Sequence, residues 1–294
     1  MQKRKLGFIG GSGLYAMEQL EGIERRAVAT PWGSPSGAIS EGTISGVDVA
    51  FLARHGEGHF LAPSSINYRA NIDALKRVGV TDIISISACG SLAEQYAPGD
   101  FVVVDQFIDR TTQREKSFFG TGCVAHVSMA KPVCPALFKA SLSACQAADI
   151  NHHEGGTYIC IDGPQFSSKA ESHLFRQWKA DIIGMTNMPE AKLAREAEIP
   201  YVTIGMVTDY DCWREDEDHV EVSNVLEVMA GNNKKAQRFI VEAANVLGAE
   251  RSLSPLGIER CLDFAMITSK DKRDPALVKK LDAIAGRYFS SEGK

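Results

Sequence analysis

The sequence predicts a single α/β domain in which a central mixed, mostly parallel β-sheet is flanked by helices. Three observations lead there. Short apolar runs of strand type alternate with amphipathic helical patterns. The first of these runs ends in a glycine loop. The most linker-like stretch, residues 248–274, lies too close to the C-terminus to split the 294 residues into two domains. Residues 1–250 are therefore read as the main body and 251–294 as a helical extension of the same domain.

The elements follow in order. Residues 6–9 form an apolar run stopped by Gly10-Gly11-Ser12-Gly13, a strand entering a glycine turn. Residues 47–53 read as a buried strand ending at the polar turn 54–59. Apolar positions from 65 to 78 have mostly helical spacing, with Ser64 or Ser65 available as N-cap. Further strands are expected at 82–88, 101–105, 156–161, 181–185 and 200–208, and helices at 135–148, 169–179 and 189–197. Residues 17–26 form a short charged segment with no strand assigned. Residues 220–247 read as a long helix with a possible break at 231–233, and 275–288 as a final helix.

Composition excludes several function classes. Hydrophobic residues make up 44% and charged residues 23%, and the balance of 32 basic and 37 acidic residues gives −5, so neither disorder nor a basic nucleic-acid footprint is indicated. Apolar runs such as 101–104 fall far short of the roughly 20 residues that a membrane span needs, and the N-terminal sequence reads as neither signal peptide nor anchor. Seven scattered cysteines without a C-x-x-C point to reduced thiols in a cytoplasmic chain.

Several motifs carry chemistry. Gly11-Ser-Gly-Leu-Tyr-Ala16 matches G-x-G-x-x-A, but it lacks the following helix and acidic strand end of a dinucleotide site. An anion pocket with the Ser12 hydroxyl as donor fits better, beside the plain alternative of a structural turn. Arg54-His55 supplies a fork of donors suited to phosphate, although alone the pair could be coincidence. His55-Gly-Glu57 lacks the P-C-x-x-C of zinc deaminases, and the 151–154 cluster reads as a solvated turn, so no metal is expected. Asp209 and Asp211 follow an apolar strand. If the extended chain continued, they would share a face about 6.6 Å apart, and one pKa would rise. An acid paired with a carboxylate complements adenine, whose N7 accepts and whose N6 donates. Taken alone, the pair could also be a helix cap beside a solvated aspartate.

Jointly the motifs say more. The glycine turn, Arg54-His55, Asn67-Tyr-Arg-Ala-Asn71, Gly163-Pro-Gln-Phe-Ser167, Gly184-Met-Thr186 and Thr208 to Trp213 occur in the order and spacing of the trimeric purine nucleoside phosphorylase family. Over residues 5–230 the chain resembles that family, and within it the methylthioadenosine phosphorylase branch. The resemblance implies phosphate bound by Ser12, Arg54, His55, Ser87, Ala88 and Thr186. Met185 would lie under the ribose, Phe166 near the purine, His126 on the ribose 5′ side, and Asp209, Tyr210 and Asp211 around the base. Val222, Val225 and Leu226 would line a methylthio pocket completed by a neighbouring subunit, which implies a homotrimer, with pairing into hexamers left open.

Two positions bear on the base. Where relatives acting on 6-oxopurines typically carry Glu and Asn, this chain has Ser167 and Asp209, a set that suits a 6-aminopurine. The implied reaction is phosphorolysis of 5′-methylthioadenosine to adenine and 5-methylthioribose 1-phosphate, with Asp209 as general acid, inorganic phosphate as co-substrate and no cofactor. Cys89 and Cys212 are read as small buried residues, not nucleophiles. The alternatives are a 5′-methylthioinosine or general purine nucleoside phosphorylase, a non-catalytic nucleoside-binding protein and, on the glycine loop alone, a nucleotide-dependent oxidoreductase.

Overall fold

A computed structural model describes residues 2–11, 14, 19–214 and 222–291, with the side chains of 222–226 outside that set. The chain begins with β1 (Gln2–Lys3), β2 (Lys5–Gly10), β3 (Glu21–Arg26), β4 (Ile39–Ile44) and β5 (Val47–Ala53), then α1 (Tyr68–Arg77). Next come β6 (Asp82–Ser91), β7 (Phe101–Val104), β8 (Gln106–Asp109), α2 (Pro135–Ala147), β9 (His152–Glu154), β10 (Thr157–Cys160) and α3 (Lys169–Gln177). The rest is β11 (Ile182–Gly184), α4 (Asn187–Glu196), β12 (Tyr201–Asp209), α5 (Val222–Leu247), β13 (Glu250–Arg251), α6 (Pro275–Lys280) and α7 (Asp282–Ser291).

Eleven of these strands form one mixed sheet, and β1 pairs with β13 separately. Parallel β5, β2, β6 and β12 make its centre. Beyond β6 the sheet forks: β12 runs alongside it from Ile83 to Gly90, while β11 pairs antiparallel with its last residues, Gly90 and Ser91. The central strands are apolar on both faces because helices cover both, and alternation along β6 sorts the side chains. Ile84 and Ile86 pack with Phe239 and Ile240 of α5. Ile83 packs with Leu75 of α1, Leu193 of α4, and Ile284 of α7. On that second face Ser85 and Ser87 are the polar members of the strand.

Several sequence readings are corrected. The exposed segment Glu21–Arg26 is β3, an edge strand whose charged side chains read as loop but suit an unpaired sheet edge. Residues 152–154 are not a solvated turn: they extend the sheet parallel to β7, and His153 Nε2 lies 2.8 Å from Asp100 Oδ2. Helix α1 is capped by Asn67, whose side chain accepts from Ala70 N, while Ser64 and Ser65 sit in a preceding 3-10 turn. Helix α5 runs unbroken through Gly231. The final helix divides at Leu281 into α6 and α7.

Candidate active site

The carboxyl ends of the parallel strands converge on a cavity of about 310 Å³, where a twisted α/β sheet leaves room for a ligand. It brings together Arg54 and His55 from the end of β5, Ser87 and Ala88 from β6, Met185 and Thr186 between β11 and α4, Phe166 and Ser167 ahead of α3, and Asp209 and Asp211 at the end of β12.

One end carries hydroxyl and guanidinium groups. Ser87 Oγ lies 3.2 Å from Thr186 Oγ1 and 3.4 Å from Tyr158 Oη. Close packing fixes this corner, because a Cβ on Gly184 would overlap the Tyr158 hydroxyl. Arg54 is buried and paired with Glu190, its Nε 2.9 Å from Oε2. Burial alone would lower the guanidinium pKa, but the adjacent carboxylate outweighs it and raises the value. His55 behaves in the opposite way: burial, reinforced by Arg54 and His59 against the opposing Leu61 carbonyl, drives its pKa down to about 4. A carbonyl oxygen only accepts, so the 2.9 Å contact with Leu61 O places the imidazole proton on Nδ1 and leaves Nε2 an acceptor. The His59 ring stacks on His55 with centroids 4.0 Å apart. With His55 neutral and Arg54 paired, this end offers oriented donors and little net charge.

The other end is acidic. The chain does not stay extended through 211: the register shifts between Val207 and Asp209, and Asp211 takes a left-handed φ of 49°. The turn folds Asp211 N back onto Asp209 Oδ2 at 2.9 Å, while Thr208 Oγ1 donates to Asp209 Oδ1 at 2.6 Å. Burial raises both carboxyl pKa values, Asp209 against those two hydrogen bonds and Asp211 to about 6 with the charge of Asp209 adding to the effect. Trp213 Nε1 donates to Ser91 O at 2.8 Å and the Arg176 guanidinium lies 3.6 Å above the Trp213 ring, so the turn is braced from behind. Ser167 Oγ is buried at the cavity wall with no partner among the described residues. Between the two ends lie Met185 and Met206, with Gly163 at φ 63° where a Cβ would strike the Met185 sulfur.

Two candidates sit elsewhere in this chain. Tyr210 turns out of the cavity, its ring edge-on to Trp213 at 6.1 Å and under Arg214. His126 lines a second cavity of about 390 Å³ with Lys116 and Glu196. Ser12 and the side chains of Val222, Val225 and Leu226 fall outside the described residues; Gly11, Met229 and Asn233, which are near them in sequence, line the cavity. Cys89 is buried, with burial and then Asp209 raising its thiol pKa; Cys212 is only partly buried, its Sγ 3.2 Å from Ser167 O. His59, Met229 and Asn233 were missed by sequence reasoning. For His59 the signal was its spacing four residues after His55; the other two depend on the angle at which α5 crosses the sheet.

Residues 5–245 match the model of the phosphorylase superfamily. The chain belongs to that superfamily. The S-methyl-5′-thioadenosine phosphorylase of Bradyrhizobium diazoefficiens is 54% identical over 289 residues, covering 98% of this chain and 99% of that one. The enzyme of the same name from Rhodospirillum rubrum is 55% identical, with 97% of each chain covered. Among solved structures of the superfamily, a methylthioadenosine phosphorylase from an antarctic soil metagenomic library superposes with a TM-score of 0.91 at 46% identity, covering 97% of this chain and 99% of its own. That of Schistosoma mansoni in complex with adenine gives 0.81 at 38% identity, over 85% and 93% of the two chains. The similarity thus runs well past residue 230, where the motifs alone stop.

Proposed function

We propose that the protein catalyses phosphorolysis of S-methyl-5′-thioadenosine to adenine and S-methyl-5-thio-α-D-ribose 1-phosphate. The observation that carries this reading is the polarity of the cavity, with hydroxyl and guanidinium donors at one end and, at the other, the half-buried Asp209 and buried Asp211 carboxyls, both of raised pKa. Phosphate, held by Arg54, Ser87, Ala88 and Thr186 with Ser12 from the glycine turn, attacks C1′ from one face. The C1′–N9 bond breaks toward the other face, its electron pair leaving with the base, and the configuration inverts. Asp209 donates a proton to N7 and Asp211 accepts from N6, while the Ser167 hydroxyl supplies a further donor or acceptor. Proton donation to a leaving group contributes typically about 10² to 10⁴ in rate. Met185 supports the ribose, Phe166 the purine, and Val222, Val225 and Leu226 the methylthio group.

His55, neutral with Nε2 free to accept, takes a hydrogen bond from a phosphate or ribose hydroxyl on this reading and adds no charge. We assign His126 to a neighbour's ribose 5′ side in a homotrimer, because it lies outside its own cavity and beside exposed Phe264 and Ile267. Residues 251–294 are an extension of the same domain, supported by the burial of Leu281, Ile284 and Ala285. The activity belongs to purine and methionine salvage in the cytoplasm and uses no cofactor.

The test is adenine release from methylthioadenosine with and without phosphate. Release that requires phosphate and yields the 1-phosphate sugar is expected; phosphate-independent release sinks the reading. In a substrate series, inosine leading in kcat/KM would reverse the assignment of Asp209 and Ser167 to a 6-aminopurine.

A further inference from the structure

Behind the hydroxyl end of the cavity lies a buried polar cluster with a single carboxylate at its centre. Glu190, in the first turn of α4, is 1% exposed. It accepts from Arg54 Nε at 2.9 Å and Nη2 at 3.2 Å, from Ser85 Oγ at 2.6 Å and from Tyr201 Oη at 2.8 Å. Asn187, three residues earlier, places its Nδ2, which has two protons to donate, 2.9 Å from each of Ser85 Oγ, Tyr201 Oη and Thr203 Oγ1. The cluster therefore ties the end of β5, the middle of β6, the start of β12 and the start of α4 to one side chain.

The geometry has a directional consequence. A guanidinium is planar, and Glu190 occupies the Nε–Nη2 edge of Arg54 in a fork, with Ser85 Oγ at 2.5 Å and Ile9 O at 3.3 Å as further acceptors for Nη2, so the carboxylate supplies the charged part of the contacts that fix the plane and its rotation. Nη1 lies on the opposite side, 3.1 Å from the carbonyl oxygen of Ile86, the residue that precedes Ser87. Thr186, which touches Ser87, immediately precedes Asn187 of the same cluster. We propose that Glu190 is the positioning residue of the phosphate end: it holds Arg54, and through Ser85 and Asn187 the segments carrying Ser87 and Thr186, in the orientation that receives phosphate. This rests on the reading of Arg54 as a phosphate ligand. Because the guanidinium charge is matched in advance, Glu190 contributes orientation, and phosphate meets fixed donors instead of a loose cation.

A carboxylate that only neutralised a buried cation would affect stability and leave substrate binding even-handed. A positioning residue splits the two substrates. In Glu190→Gln, folded by circular dichroism, the phosphate KM is expected to rise about tenfold or more, as loss of a charge-assisted fork implies, with the methylthioadenosine KM within about twofold of wild type. The rise in melting temperature produced by inorganic phosphate, which needs no turnover, is expected to shrink in Glu190→Gln and in Arg54→Lys, and no further in the double variant. Tyr201→Phe removes one donor while leaving the charge pair, and a smaller rise in phosphate KM alone is expected. If Glu190→Gln does not fold, Tyr201→Phe decides, and an unchanged phosphate KM overturns the proposal. A wild-type chain unmoved by phosphate overturns the proposal and the phosphorolytic reading together. A wild-type chain that responds while folded Glu190→Gln responds equally overturns the proposal alone.

Discussion

The Asp211 carboxyl is held where water would stabilise its charge and the protein does not. It is 7% exposed, and burial lifts its pKa from 3.8 to about 6. The folded state therefore holds this proton more tightly than the unfolded chain. The resulting stabilisation is complete below about pH 4 and is lost as pH rises through 6. Asp211→Asn, neutral throughout, is expected to exceed wild-type stability above pH 6 by roughly 1–3 kcal/mol, with the difference closing near pH 4. Urea unfolding at both ends of this range checks it. The same variant should lose activity, since an amide offers N6 a weaker acceptor than a carboxylate; a gain in stability without that loss would remove Asp211 from the base site. Asp209→Asn should lower kcat by about 10² or more, the scale of general-acid catalysis, and unchanged turnover at pH 7 would end its assigned role. Individual residue types were legible in the sequence because strand ends announce themselves. What was not legible was the turn: Asp211 reaches the cavity through a left-handed backbone, and strand spacing alone carries no sign of it.

At the scale of elements, helix α3 aims the base-side wall. Ser168 caps it in a reciprocal box with Glu171, each side chain bonding the other's backbone N–H, and Ser167 and Phe166 immediately precede the cap. Ser168→Ala is expected to cost about 1 kcal/mol, seen as a lower melting temperature. It should raise the nucleoside KM more than the phosphate KM, because on the proposed reading the loosened segment meets the base and not Ser87 or Thr186. Equal shifts in both would mean that the cap serves stability only. The helix itself was legible, as were the central strands, whose apolar runs are long, whereas its serine–glutamate capping pair was not read from the sequence. The strands that escaped are β1, β3, β4, β8, β9 and β13, which are short or lie at or near the sheet edges, where side chains are partly or fully exposed and the apolar signal is diluted. Gly231 misled for a related reason. The intrinsic preference of glycine against helix is worth about 1 kcal/mol, less than α5 gains by burying Ala236, Phe239, Ile240 and Ala243 against the sheet.

The whole molecule presents an apolar surface that a lone chain has no use for. Phe264 is 94% exposed and Ile267 is 64% exposed, on a segment bonded to the strand-like stretch that carries His126: His126 N donates to Ala265 O at 2.8 Å and Ile267 N to Val124 O at 2.9 Å. These bonds tie the two stretches together, so a neighbour packed on Phe264 would bring His126 against its own surface at a fixed offset. On the proposed trimeric reading, assembly and catalysis would be coupled through a few residues. Phe264→Glu should shift sedimentation toward the monomer and reduce kcat/KM for methylthioadenosine, with activity recovering as protein concentration rises. His126→Ala should leave the oligomer intact and reduce kcat/KM at every concentration. If Phe264→Glu were monomeric and fully active, the cavity would be complete within one chain, and the position of His126 at the second cavity would have to be explained without a neighbour.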